Sequence, residues 1–173
     1  MAVNAESVSK FLKEGSEAKL IYISSDAVFP DGIHMATEKD HTSPQNVYGK
    51  TKETGERYIK EISGDHIAIR TTIVGKNINS SYQGFVEWIV TSVKNGKEIT
   101  LFDDVLFTPI STWHFKSELE WIMANDISGI VHVVGGEAIS KYDFGRKICL
   151  GLGLGTSLIH KGSIYNTNFN AKR

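Results

Sequence analysis

Tyr48 and Lys52 stand four residues apart, a spacing that puts both on one face of a helix. An ammonium held beside a phenol favours the phenolate, so a phenol in that setting can pass a proton to a carbonyl oxygen that is receiving hydride. Upstream, the apolar run Leu20-Ile21-Tyr22-Ile23 closes on Ser24-Ser25-Asp26, and a hydroxyl such as that of Ser25 can hold the same carbonyl oxygen. Open α/β sheets place ligand-contacting groups at the carboxyl ends of their strands. Ser and Asp at a strand end also serve ordinary turns and helix caps, and about half a match to Tyr-x3-Lys is expected by chance in a chain of this composition. The weight lies in the order: apolar strand, Ser-Ser-Asp, a polar loop of about twenty residues, Tyr-x3-Lys opening a helix, then another apolar strand.

The elements that must position these groups alternate. Val8, Phe11 and Leu12 lie on a helical face before the strand at Leu20–Ile23. Pro30-Asp31-Gly32 and Ser43-Pro44 mark the loop, and Val47 to Ile62 reads as a helix that stops before Ser63-Gly64. Ile67–Thr71 reads as a strand, Phe85–Val93 as a helix, Glu98–Phe102 as a strand, Trp113–Ala124 as a helix, Gly129–Val134 as a strand and Lys141–Leu150 as a helix. Strands alternating with helices predict an α/β fold with a parallel sheet. Residues 1–78 are expected to form the second half of a Rossmann-like domain, with a small mixed α/β lobe over residues 79–173.

Composition narrows the chemistry. The chain has 173 residues, 40% of them hydrophobic, and a formal net charge of -1, so it carries no basic field for nucleic acid or an anionic membrane. The apolar windows fall short of a membrane span and Met1–Gly15 lacks the apolar core of a leader, which places the protein in the cytoplasm as an expectation. Cys149, the single cysteine, reads as a small core residue. The six histidines lack metal-ligand spacing, so metal chemistry is not indicated. Trp88, Trp113 and Trp121 read as core or interface aromatics rather than a sugar platform. Glu38 and Asp40 read as members of a solvated loop, and Arg70 suits either a phosphate or a nearby carboxylate.

The run from Leu20 to Phe29, the turn Asp31-Gly32 and the string Ser43-Pro44-Gln45-Asn46-Val47-Tyr48-Gly49-Lys50-Thr51-Lys52-Glu53-Thr54-Gly55-Glu56 resemble the extended short-chain dehydrogenase/reductase superfamily, and within it the dTDP-4-dehydrorhamnose reductase family. Ile69–Gly75, Gly129–Gly136 and Ser140–Phe144 resemble later strands and a helix start of that family, and Ala171-Lys172-Arg173 its C-terminal approach. The resemblance implies Tyr48 as proton donor, Lys52 as its electrostatic partner and a ligand of the cofactor ribose, and Ser25, with Asp26, as contacts to the sugar. It further implies NADPH or NADH as hydride source and a nucleoside-diphosphate 4-keto-6-deoxyhexose as substrate. An epimerase or dehydratase of the same superfamily would reuse this set. A non-catalytic protein like the regulatory subunit of methionine adenosyltransferase would keep only the fold.

The family opens with a strand, a glycine-rich turn and a helix N-terminus that receives the pyrophosphate. No such opening precedes Leu20, so a half-Rossmann unit of roughly 70 to 90 residues is expected to be supplied separately, by a missing N-terminal half or an oligomer partner. Gly151-Leu152-Gly153-Leu154-Gly155 follows a helix and reads as a helix stop, not as that turn. Ala27 and Ile73 stand where the family usually has Tyr and often has Trp, which removes two aromatic surfaces near the sugar.

Overall fold

The computed structural model describes residues 8, 18–61, 65–77 and 82–168. In chain order the elements are β1 (Ile21–Ser25), a 3-10 turn (Asp26–Val28), α1 (Val47–Glu61), β2 (Ile67–Thr71), β3 (Ile73–Val74), α2 (Phe85–Lys94), β4 (Ile99–Phe102), β5 (Leu106–Phe107), β6 (Ile110–Ser111), α3 (Thr112–Ala124), β7 (Gly129–His132), β8 (Ile139–Ser140), α4 (Lys141–Gly151), β9 (Ile159–Gly162) and a second 3-10 turn (Ile164–Asn166). The fold is α/β with parallel pairing, as the alternation predicts. The expected first helix, apart from Val8, and the Ala171–Arg173 segment lie outside the described residues, as does the Ser63-Gly64 helix stop.

Two compact units emerge, one of residues 1–72 with 113–134, the other of 73–112 with 135–173. This differs from a single cut after residue 78. The chain returns because β7 pairs with β2, which draws Trp113–Val134 into the first unit.

In the first unit the sheet order is β1-β2-β7, all parallel. β2 is central, and every one of its residues is buried, as a near-continuous apolar run in a parallel sheet should be. One face carries Tyr22 and Ala68, packed with Val8 and with Ile59 of α1. The register sets Ser24 opposite Arg70 and Arg70 opposite His132, so three polar side chains form one row across the three strands. α1 begins where the Asn46 side-chain oxygen accepts the Gly49 N–H at 2.7 Å, satisfying a donor that the first turn leaves free. Of the core and interface placements expected for the tryptophans, Trp113 at 77% exposed and Trp121 at 57%, both in α3, do not take the first. The apolar residues of this helix spread around its circumference, and Ile122 alone is buried.

The second unit is built on short pairings that alternating apolar runs do not reveal: β4 with β9, β3 with β6, and β5 antiparallel to β8. Ile89 and Val93 of α2, Ile99 and Leu101 of β4, Cys149 of α4 and Ile159 of β9 form its core, with Trp88 packed against them. Cys149 is fully buried, as expected of a small core residue. The glycine run after α4 is a helix stop. Gly153 takes φ +69°, its N–H bonds the Leu150 carbonyl at 3.0 Å and the Leu154 N–H bonds the Cys149 carbonyl at 2.8 Å, which together make a Schellman termination.

Candidate active site

Ser25 is the last residue of β1, and it also caps the 3-10 turn that follows. Its hydroxyl oxygen accepts the Ala27 N–H at 3.2 Å and donates to Asp26 Oδ1 at 2.9 Å. The structure shows Ser25 as a cap, the ordinary reading of a serine at a strand end. The turn is seated against the start of α1 at Gly49, where a Cβ would collide with the Ala27 carbonyl oxygen. A glycine at this position lets the helix approach closely enough to bring its first turn beside the end of β1.

Tyr48 precedes that glycine and is half exposed. Lys52 follows one turn later, with Nζ 5.7 Å from the centre of the Tyr48 ring and donating to the Ile23 carbonyl at 2.9 Å. Phenol and ammonium thus share a face, and the ammonium is anchored two residues before Ser25. Burial pushes the Lys52 pKa down from its ordinary value.

Continuing the Tyr48–Lys52 stripe by one more turn reaches Glu56, whose role the sequence alone does not show. Glu56 is buried. Its carboxylate accepts the Ser24 hydroxyl at 2.5 Å, Arg70 Nε at 2.9 Å and Arg70 Nη2 at 2.7 Å. The guanidinium fork on the carboxylate is bidentate, both side chains are 3% exposed, and Arg70 also lies 4.8 Å over the Phe29 ring. Arg70 therefore takes the carboxylate of the two partners it suited. The signal for Glu56 was present in the i, i+4, i+8 spacing from Tyr48, but its partners come from strands 14 and 32 positions away.

At the far end of the row, His132 Nε2 lies 3.4 Å from Arg70 Nη1. The His132 N–H donates to Glu38 at 2.9 Å, tying the long loop before α1 to β7. Glu38 is surface-exposed, as expected of a solvated loop, yet its backbone and the His132 N–H hold its carboxyl below the usual range. Asp40 is a turn residue, accepting the Thr37 N–H at 2.6 Å. Among the described residues no group of three His, Cys, Asp or Glu side chains is placed to hold a metal ion, and no helix is long and apolar enough to cross a membrane.

The family profile of the RmlD substrate binding domain matches residues 1–173. The chain belongs to this family. Among curated RmlD-like relatives, it is 30% identical over 152 residues to the dTDP-4-dehydrorhamnose reductase of Escherichia coli K12, covering 82% of this chain and 49% of that one. It is 28% identical over 162 residues to a probable low-salt glycan biosynthesis reductase, Agl14, of Haloferax volcanii, covering 91% of this chain and 53% of the relative. A crystal structure of the Bacillus anthracis dTDP-4-dehydrorhamnose reductase in complex with NADP superposes with a TM-score of 0.87 at 25% identity, covering 98% of this chain and 60% of that one. The chain spans about half the length of the curated relatives it matches.

Proposed function

We propose that this chain supplies the catalytic and sugar-binding part of an NAD(P)H-dependent reductase that acts on the 4-keto group of a nucleoside-diphosphate 6-deoxyhexose. One observation carries the reading: Tyr48 and Lys52 share a face of α1 whose first turn is seated, through Gly49, on the turn that Ser25 caps. In this arrangement the Ser25 hydroxyl orients the keto oxygen and the Tyr48 phenol delivers the proton to it. Lys52 places positive charge beside the phenol, which favours the transfer. For this the Ser25 hydroxyl, which has a single proton, turns from Asp26 Oδ1 to the keto oxygen.

The phenol and ammonium fit the nicotinamide-ribose end of a reduced dinucleotide, which supplies the hydride when bound. A half-exposed Tyr48 and a lysine anchored at its side support this reading. The described residues contain no glycine-rich strand-to-helix turn for a pyrophosphate. We assign the chain the ribose end of the cofactor and the sugar.

A thermal melt of the protein with and without excess NADPH tests the reading, since a ligand at 100 times its dissociation constant stabilises the native state by about 2.7 kcal/mol. A melt that moves up by several degrees, and that no longer moves after Lys52→Met, is the expected result. A melt unmoved by NADPH and by the sugar nucleotide together counts against an independent catalytic role for this chain.

A further inference from the structure

The Lys52 ammonium rests on three surfaces: the Ile23 carbonyl at 2.9 Å, the Tyr48 ring at 5.7 Å and the Tyr22 ring, whose centre is 5.1 Å away. Tyr22 is the one of the three that sequence reasoning passed over, because it reads as an ordinary apolar residue of β1. Its placement is unusual in two ways. The hydroxyl oxygen is buried without a hydrogen-bond partner among the described residues, a situation that normally costs stability and is avoided. The outer edge of the ring is received by Gly55 of α1, where a Cβ would collide with the ring and its hydroxyl. A position that accepts an unpaired phenol, against a helix that gives up a side chain to admit it, puts the ring to a use beyond the core it also fills.

We propose that the π-face of Tyr22 is part of the seat of the Lys52 ammonium and makes Tyr22 a positioning residue for the Tyr48–Lys52 pair. A cation over an aromatic face is attracted to its negative quadrupole, more strongly where water is excluded. Tyr22 is 7% exposed, so the attraction acts in a largely dry site. The carbonyl fixes the ammonium along one direction, and the ring fixes it along another. Burial, then the neighbouring Glu56 carboxylate and Tyr48, push the Tyr22 pKa up to about 12. The residue accordingly remains a neutral ring and is no rival to Tyr48 as a proton donor. The Glu56 charge is committed to Arg70 and Ser24, which leaves the ring and the carbonyl as the ammonium's close partners.

The consequence for proton transfer rests on the reductase reading, whereas the seat itself does not, and the experiment separates the two. The titration of Lys52 is followed in the 173-residue protein by pH-dependent trace acetylation and peptide mass spectrometry, without cofactor or sugar. Tyr22→Phe is compared with phenylalanines at position 22 bearing one, two and three fluorines, a series that drains the π-face while keeping its shape. The expected result is a Lys52 midpoint that is the same in the wild type and Tyr22→Phe and then falls stepwise, by roughly half a unit to one unit across the series. A midpoint that stays constant through the series, in proteins that melt alike, overturns the proposal. A midpoint that moves in full on Tyr22→Phe alone also overturns it, because the hydroxyl and not the ring would then be the active feature. A chain that binds no NADPH still gives either answer.

Discussion

At the scale of single residues, the candidate site separates groups that do chemistry from groups that hold them. On the proposed function Tyr48, which is half exposed, belongs to the first kind. Tyr48→Phe is expected to lower turnover of a 4-keto sugar nucleotide about 10²- to 10⁴-fold, the usual contribution of a positioned acid, while leaving the melting temperature nearly unchanged. Steady-state kinetics beside a melt checks both halves of that statement. Glu56 and Arg70 belong to the second kind. Removing one partner of a buried ion pair leaves an uncompensated charge, so Glu56→Gln or Arg70→Met should each cost about 3–5 kcal/mol by denaturant unfolding. The double variant should cost clearly less than the sum, since no charge is then left alone.

His132 gives a pH dependence with a definite sign. Burial lowers its pKa, outweighing the pull of Glu38 in the other direction, and the Arg70 guanidinium lowers it further. The native state therefore binds this proton less well than the unfolded chain, whose histidine titrates near about 6.5. Its contribution to stability is complete above that value and is lost as the pH falls through it toward the lower native value. The melting temperature is expected to fall between about pH 7.5 and about pH 5.5, and to fall less in His132→Gln. Equal slopes in the two proteins would assign the dependence to other groups.

At the scale of elements, the close contact of α1 with the turn after β1 depends on Gly49. Gly49→Ala would drive a Cβ into the Ala27 carbonyl, and overpacking of this kind costs about 1–3 kcal/mol. The same shift would part Tyr48 from the turn that Ser25 caps, so the variant should lose turnover beyond its loss of stability, as kinetics well below its melting temperature would show. What the sequence made legible follows from period and punctuation. α1, α2 and α4 carry runs long enough for a 3.6-residue pattern to register, α3 is a long run whose apolar residues do not keep to one face, and β1, β2 and β7 are apolar runs between turn signals. The two-residue strands β3, β5, β6 and β8 are too short to carry a period and form only because a distant segment pairs with them. The same limit applies within the site. Ser25, Tyr48 and Lys52 stand out by type and spacing, but the roles of Ser24, Glu56, Arg70 and His132 depend on strand register, which brings together residues far apart in the chain. The outward-facing Trp113 and Trp121 escaped for a related reason: periodicity reports that a helix has apolar residues, not which of them find a neighbour.

At the scale of the whole molecule, each unit has its own core, and the chain crosses between them more than once. The first unit holds every residue of the Ser25–Tyr48–Lys52 set together with the Ser24–Arg70–His132 row, so the candidate chemistry lies within a single unit. That row has a consequence for descent. One carboxylate, Glu56, accepts from a serine on β1 and an arginine on β2. A lineage that loses the charge at position 56 inherits a stranded guanidinium, and one that loses Arg70 inherits a stranded carboxylate. Either step alone carries the penalty of a lone buried charge, so divergence among relatives is expected to show positions 56 and 70 changing together or not at all.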